Sequence, residues 1–220
     1  FNGFYLLHPS EIEKLQKSIP LLIYLHGLGQ RGDGNKDLYL LGEDGLGKLM
    51  KSGELPSAFK VKEEWLSFVV IAPQWSEFPD AAAILATIQY ASQKYNIDQS
   101  RVYLAGISAG GMAISKALPE ISGKIAAFIA IAGVADDSNG KIAQAIASAN
   151  LPIWLLHNNR DTMVNSGYSK HLVEAVNSLQ PPVKARLTLF ENESHDAWTK
   201  VLNPDFNENG QNIYEWMLQY

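Results

Sequence analysis

Five stretches of this 220-residue chain are unbroken apolar runs: Leu21 to Leu25, Phe68 to Ala72, Val102 to Ala105, Ile125 to Ala132 and Pro152 to Leu156. A strand with one wet face alternates apolar and polar residues, whereas a strand covered on both faces has no reason to. Between the runs lie helical periodicities: Ile84, Leu85, Ile88 and Ala91, then Leu172, Val173 and Val176, then Ile213, Trp216 and Met217. Strands and helices therefore alternate from Leu21 onward, with Ala185 to Phe190 as the last strand. The expected class is α/β, a mostly parallel central sheet with helices on both sides, three layers in one domain over residues 1–220.

The remaining segments fit around that frame. Phe4 to His8 reads as an edge strand stopped by Pro9-Ser10, and Glu11 to Ser18 as a polar loop. Leu40 to Ala58 reads as one helix with a pattern broken by Gly45, Gly47 and Gly53. Asn96-Ile97-Asp98 reads as the end of the helix that Pro79-Asp80 opens, and Asn209 to Leu218 as the closing helix.

Composition excludes several classes of function. A net charge of −5 leaves no basic footprint for nucleic acid. No apolar stretch approaches membrane-spanning length, and nothing at the start of the sequence reads as a signal peptide. A soluble protein is expected, with the compartment (cytoplasmic or periplasmic/secreted) and the oligomeric state left open. The chain has no cysteine, which rules out disulfides, thiolate metal sites and a cysteine nucleophile.

In a parallel sheet covered by helices, sites form in the loops at the carboxyl ends of the strands. Those loops hold Gly27 to Gly34, Gln74-Trp75, Ser108, Asp136-Asp137, Asp161 and His195. Ser108 is set in Gly106-Ile-Ser-Ala-Gly110-Gly111, between a strand and a helix. That is the context of a nucleophile elbow, a turn so sharp that a serine hydroxyl points outward and side chains at the flanking positions would clash. The helix after Ser108 aims its first N–H groups at the same spot.

A serine hydroxyl needs a base to take its proton and a group to orient that base. Among the histidines, His195 is the best placed, in the loop between the final strand and final helix, and imidazole titrates in the working range. His26 and His157 end strands, where a buried histidine that hydrogen-bonds backbone is the plainer role. Asp161 is the favoured acid, with Asp136 as its rival and Asp196 too close to His195 in sequence to fold back onto its ring. The order Ser108, Asp161, His195 is nucleophile, acid, base. The N–H groups of Leu28 and Ala109 are the expected oxyanion hole. Gln74, Trp75 and Trp198 are candidates for contact with substrate.

His26-Gly-Leu-Gly-Gln-Arg-Gly-Asp33, Ala72-Pro-Gln-Trp75, Gly106-Ile-Ser-Ala-Gly-Gly111, His157-Asn-Asn-Arg-Asp161 and Ser194-His-Asp-Ala-Trp198 together resemble the α/β-hydrolase superfamily. Within it they are most similar to the small phospholipase/carboxylesterase, dienelactone-hydrolase-like and polyhydroxybutyrate-depolymerase-like esterases. The resemblance runs from Leu21 to Tyr220 and implies hydrolysis of a carboxylic ester through an acyl-serine, with no metal or cofactor. Two positions depart from the pattern: Asn158 stands where glycine is usual, and Ala109 where a larger residue is common. The twenty or so residues between Ala132 and Pro152 leave no room for a large lid domain, which suits small esters or esters on a bulky carrier such as a sugar polymer. A serine peptidase and a non-catalytic binding protein on the same fold are the competing readings.

Overall fold

The computed structural model describes residues 2–9 and 18–220. The loop expected over 11–18 lies outside the described residues except for Ser18. The chain's strands are β1 (Phe4–Leu7), β2 (Ile19–Leu25), β3 (Phe59–Val61), β4 (Glu64–Leu66), β5 (Val69–Pro73), β6 (Ile97–Ile107), β7 (Ala127–Ile131), β8 (Ile153–Asn158) and β9 (Arg186–Phe190). Seven of them form one sheet in the order β1-β5-β2-β6-β7-β8-β9. Only β1 runs antiparallel to its neighbour, pairing Phe4 with Pro73 and Leu7 with Val70 at the sheet edge. The strands from β5 to β9 are parallel, so their carboxyl ends share one edge.

The helices are α1 (Gly45–Ser52), α2 (Ala81–Lys94), α3 (Ala109–Ile121), α4 (Lys141–Ala149), α5 (Gly167–Ser178), α6 (Trp198–Val201) and α7 (Ile213–Met217). Side chains leave a strand on alternate faces, so each unbroken run feeds two cores. Leu21, Ile23 and Leu25 of β2 join Leu104, Phe128 and Leu155 against α2 to α5, through Ile84, Ile114, Ile146 and Leu172. Leu22 and Tyr24 join Tyr103, Ile129 and Trp154 against α1, α6 and α7, through Leu46, Val201, Ile213 and Trp216. The three layers follow from this division. Burying one such Leu or Ile side chain fully contributes about 1.5–3 kcal/mol. Among the described residues no helix is long and apolar enough to cross a membrane.

Three local readings of the sequence need correction. Leu40 to Ala58 is not one helix. A 3-10 turn spans Leu38–Glu43, Asp44 is extended, and α1 begins at Gly45. Gly45 has φ 59°, and a Cβ there would sit 2.1 Å from the Tyr24 hydroxyl, so a continuous helix cannot pass this point. Phe59 to Leu66 then forms a separate hairpin of β3 and β4, turning at Lys62 with φ 55°. Second, β6 begins at Ile97, where a helix end was expected. After Ile97 its residues Asp98 to Arg101 are polar and carry the Asp98–Arg101 ion pair, 2.7 Å, so they lack the apolar signature of the strand they belong to. Third, the closing helix begins at Ile213 rather than Asn209. Asn212 caps it, accepting from the Glu215 N–H at 2.9 Å while Glu215 accepts from the Asn212 N–H at 3.1 Å.

Candidate active site

β6 ends at Ile107 and α3 starts at Ala109, so one residue makes the turn between them. That residue, Ser108, has φ 49° and ψ −122°, a conformation that costs a side-chain-bearing residue of order 1–3 kcal/mol. Neighbouring backbone holds it there. The Ser108 N–H donates to the Ile131 carbonyl at 2.8 Å, and the Met112 N–H donates to the Ser108 carbonyl at 3.1 Å. Two glycines allow the close approach. A Cβ at Gly110 would lie 2.3 Å from the Leu25 carbonyl oxygen, and one at Gly133 would lie 2.3 Å from the Ser108 carbonyl oxygen.

His195 follows β9 and meets Ser108 from the other side of the cleft. Its Nε2 is 2.8 Å from Ser108 Oγ and its Nδ1 is 2.7 Å from Asp161 Oδ2. With the proton on Nδ1, that nitrogen donates to the carboxylate and Nε2 is free to accept the serine proton. Asp161 lies just past β8. Its other oxygen, Oδ1, accepts the N–H groups of Met163 at 2.8 Å and Val164 at 3.0 Å. Burial pushes the Asp161 pKa up. The bond from His195 and the two backbone donors outweigh it and hold the carboxyl below its ordinary value. A carboxylate fixed in this way can stabilise positive charge on the His195 ring.

Asp136 is exposed and takes no part in this line. Asp196 turns away from the ring. Its oxygens accept from the Thr199 N–H at 2.8 Å and the Thr199 hydroxyl at 2.7 Å, at the start of α6.

Leu28 opens a 3-10 turn and Ala109 opens α3, so both N–H groups lack acceptors inside their helices. Both residues line one cleft of about 430 Å³ together with Ser108, His195 and Trp198. Gln30, buried beneath the loop, fixes its shape. Its Oε1 accepts from the Gly27 N–H at 3.3 Å, and its Nε2 donates to the carbonyls of Leu41 at 3.0 Å and Asp44 at 3.1 Å.

Of the three substrate-contact candidates, the cleft holds Trp198 alone. Gln74 is buried and its amide is consumed in holding the loop after β2. Its Oε1 accepts from the Gly34 N–H, 2.9 Å, and its Nε2 donates to the Asp37 carbonyl at 2.7 Å and the Gln30 carbonyl at 3.0 Å. Trp75 lines a different cleft, beside Phe4, Thr87 and Tyr90. Its backbone N–H donates to His26 Nε2 at 3.1 Å, and His26 Nδ1 in turn donates to the Gly27 carbonyl at 2.7 Å. His26 thus plays the backbone-bonding role expected of it.

His157 does more than that. It is fully buried, and its Nε2–H lies 3.2 Å from Asp161 Oδ2 and 3.1 Å from the Val164 carbonyl, while Nδ1 accepts from the Ser169 hydroxyl at 2.8 Å. Burial lowers its pKa, so it is the neutral ring that binds Asp161. A histidine four residues before the acid, at the end of the same strand, is the signal that could have revealed this. Among the described residues no group of three or more His, Asp or Glu side chains could hold a metal.

Residues 8–204 match the model of a known family, phospholipase/carboxylesterase. The chain belongs to the phospholipase/carboxylesterase family. Its class is therefore that of the carboxylic ester hydrolases, and its fold is that of the α/β-hydrolases. A curated relative, the bifunctional acetylxylan esterase/xylanase XynS20E of Neocallimastix patriciarum, is 35% identical over 86 residues. That match takes in 39% of this chain and 12% of the relative, so this chain accounts for a small part of that protein's length. Among solved structures, a thermostable esterase superposes with a TM-score of 0.67 at 21% identity, covering 98% of this chain and 58% of the other. Est1E from Butyrivibrio proteoclasticus superposes with a TM-score of 0.60 at 15% identity, covering 98% of this chain and 93% of the other. At these identities the structural likeness shows the fold.

Proposed function

We propose that this chain is a serine esterase, one hydrolase domain that cleaves carboxylic esters through an acyl-enzyme on Ser108. The observation that carries the reading is the continuous hydrogen-bonded line from Ser108 Oγ through His195 to Asp161, 2.8 and 2.7 Å, opening into a cleft. His195 takes the Ser108 proton as Oγ attacks the ester carbonyl, and Asp161 stabilises the imidazolium. The carbonyl oxygen gains negative charge and is met by the N–H groups of Leu28 and Ala109, a fixed pair of dipoles that need not reorient during reaction. His195 returns the proton to the departing alcohol. Water, deprotonated by the same ring, then releases the acid and restores Ser108.

The cleft favours small or carrier-borne esters. Its rim carries Leu28 and Met163, 58% and 76% exposed, and the segment between β7 and β8 holds α4 as its one helix, with no inserted lid domain there. The acetylxylan esterase name of the curated relative points the same way, to an ester carried on a polymer. The deciding experiment is intact mass after incubation with a fluorophosphonate, on wild type and on Ser108→Ala. A single adduct on wild type that is absent from the variant is expected. No adduct on either protein would overturn the reading.

A further inference from the structure

The departing alcohol must end at His195 Nε2, and this sets where the alcohol half of an ester lies. Trp198 packs edge-on against that ring, with centroids 5.0 Å apart and planes at 85°. It is half-buried, and its Nε1–H donates to Asp44 Oδ1 at 2.9 Å. The same oxygen accepts the Gly45 N–H at 2.7 Å. The other oxygen, Asp44 Oδ2, accepts no hydrogen bond among the described residues. Asp44 and Trp198 also wall two clefts at once. One is the cleft over Ser108, and the other is a smaller cleft of about 130 Å³ edged by Lys48, Glu54, Thr199 and Asn203. The proton-donating nitrogen of His195 therefore lies beside an aromatic side chain and a half-used carboxylate that form one wall of the cleft over Ser108.

We propose that this wall of the cleft, Trp198 with Asp44, binds the alcohol half of the substrate, and that this alcohol is uncharged and polyhydroxylated, a sugar residue or a comparable polyol. The inference rests on the serine esterase reading and adds the substrate class. A sugar has apolar C–H faces that pack on an indole, and hydroxyl donors that a carboxylate oxygen can accept. A plain alkyl alcohol leaves Asp44 Oδ2 without a donor when it displaces water there. A phosphate-bearing alcohol meets a like charge at the same carboxylate and is repelled.

The test holds the acyl half constant as acetate and varies the alcohol: a methyl glucoside monoacetate, ethyl acetate and 1-acetylglycerol 3-phosphate. Wild type should show kcat/KM for the glucoside ester about tenfold above that for ethyl acetate, with the phosphate ester lowest. Asp44→Asn keeps an oxygen for Trp198 and Gly45 and removes the charge. It should cut the glucoside-to-ethyl ratio about tenfold and raise the phosphate-to-ethyl ratio. Glu63→Gln, the same charge removal on the distant hairpin, should move neither ratio. A glucoside-to-ethyl ratio near one in wild type, or a ratio unmoved by Asp44→Asn, would overturn the inference while leaving the esterase standing. Absence of both ethyl acetate turnover and a Ser108 adduct would overturn the two together.

Discussion

His157 and His195 donate to the same oxygen of Asp161, at 3.2 and 2.7 Å. One of the two is buried and the other reaches the cleft. The acid is therefore held by four donors: two imidazoles on Oδ2 and the N–H groups of Met163 and Val164 on Oδ1.

Removing the buried donor tests whether it positions the acid. His157→Leu should lower stability by about 1.5–3 kcal/mol, the range for a lost hydrogen bond to a charged group. It should also lower kcat for an aryl acetate roughly tenfold, because Asp161 and with it His195 lose part of their orientation. A variant that melts earlier yet keeps the wild-type kcat would show that His157 supports the fold without positioning the acid.

Stability should fall on mild acidification. His26 and His157 both have pKa values pulled below the ordinary 6.5, chiefly by burial. The unfolded chain takes up these protons before the folded chain does. Stability is therefore full above pH 6.5 and declines as the pH falls from there toward the folded-state values. Asp161, held below its ordinary 3.8, adds a second loss below that pH. Urea midpoints measured from pH 7.5 down to about pH 5 check the first step, and a flat profile would contradict it.

The two acid candidates separate by mutation. Asp161→Asn should reduce kcat by about 10⁴, since the amide holds His195 in the wrong tautomer. Asp136→Asn, on an exposed side chain, should leave kcat within about twofold. The reverse pattern would move the acid to the loop after β7.

Ser108 gives a paired test of strain. Ser108→Ala should abolish turnover and leave stability near wild type, because alanine bears the same φ of 49°. Ser108→Gly should also abolish turnover but raise stability by about 1 kcal/mol, because glycine adopts that backbone freely. Thermal midpoints of the two variants, read side by side, decide whether the turn stores strain.

Gly133→Ala should damage the site from behind. The new methyl would press on the Ser108 carbonyl, which lies 2.3 Å from where it must go. A loss of about 1–3 kcal/mol is expected from overpacking, together with a fall in kcat as the nucleophile shifts. Wild-type values for both would mean that the loop after β7 can yield.

What the sequence makes legible is what depends on burial and on chain order. Each unbroken apolar run became a central strand; Ser108 and Asp161 could be singled out because each follows one of those strands, and His195 because it follows the last strand, β9. The parts that stayed hidden depend on partners distant in sequence. Gln74 sits in a loop after a strand, like a substrate contact, but its amide finds Gly34 and Asp37 some forty residues earlier. Asp44 lay inside an apparent helix, and nothing local says that its partner is Trp198. The β3–β4 hairpin carries lysine and glutamate through its middle, so it lacks the apolar run that marks the sheet strands.

The contacts at Gly110 and Gly133 have a consequence for how such an enzyme can change. Backbone from β2, α3 and the loop after β7 meets around Ser108 with no side chain between. Ser108 and Ala109 are therefore anchored to the sheet, and their geometry leaves no slack for substitution at Gly110 or Gly133. The loops after β2 and β8 and the start of α6 carry Leu28, Met163 and Trp198 to the cleft, and Leu28 and Met163 are largely exposed. On the proposed esterase reading, adaptation to a new ester has its room in those three segments, while the turn at Ser108 is inherited whole.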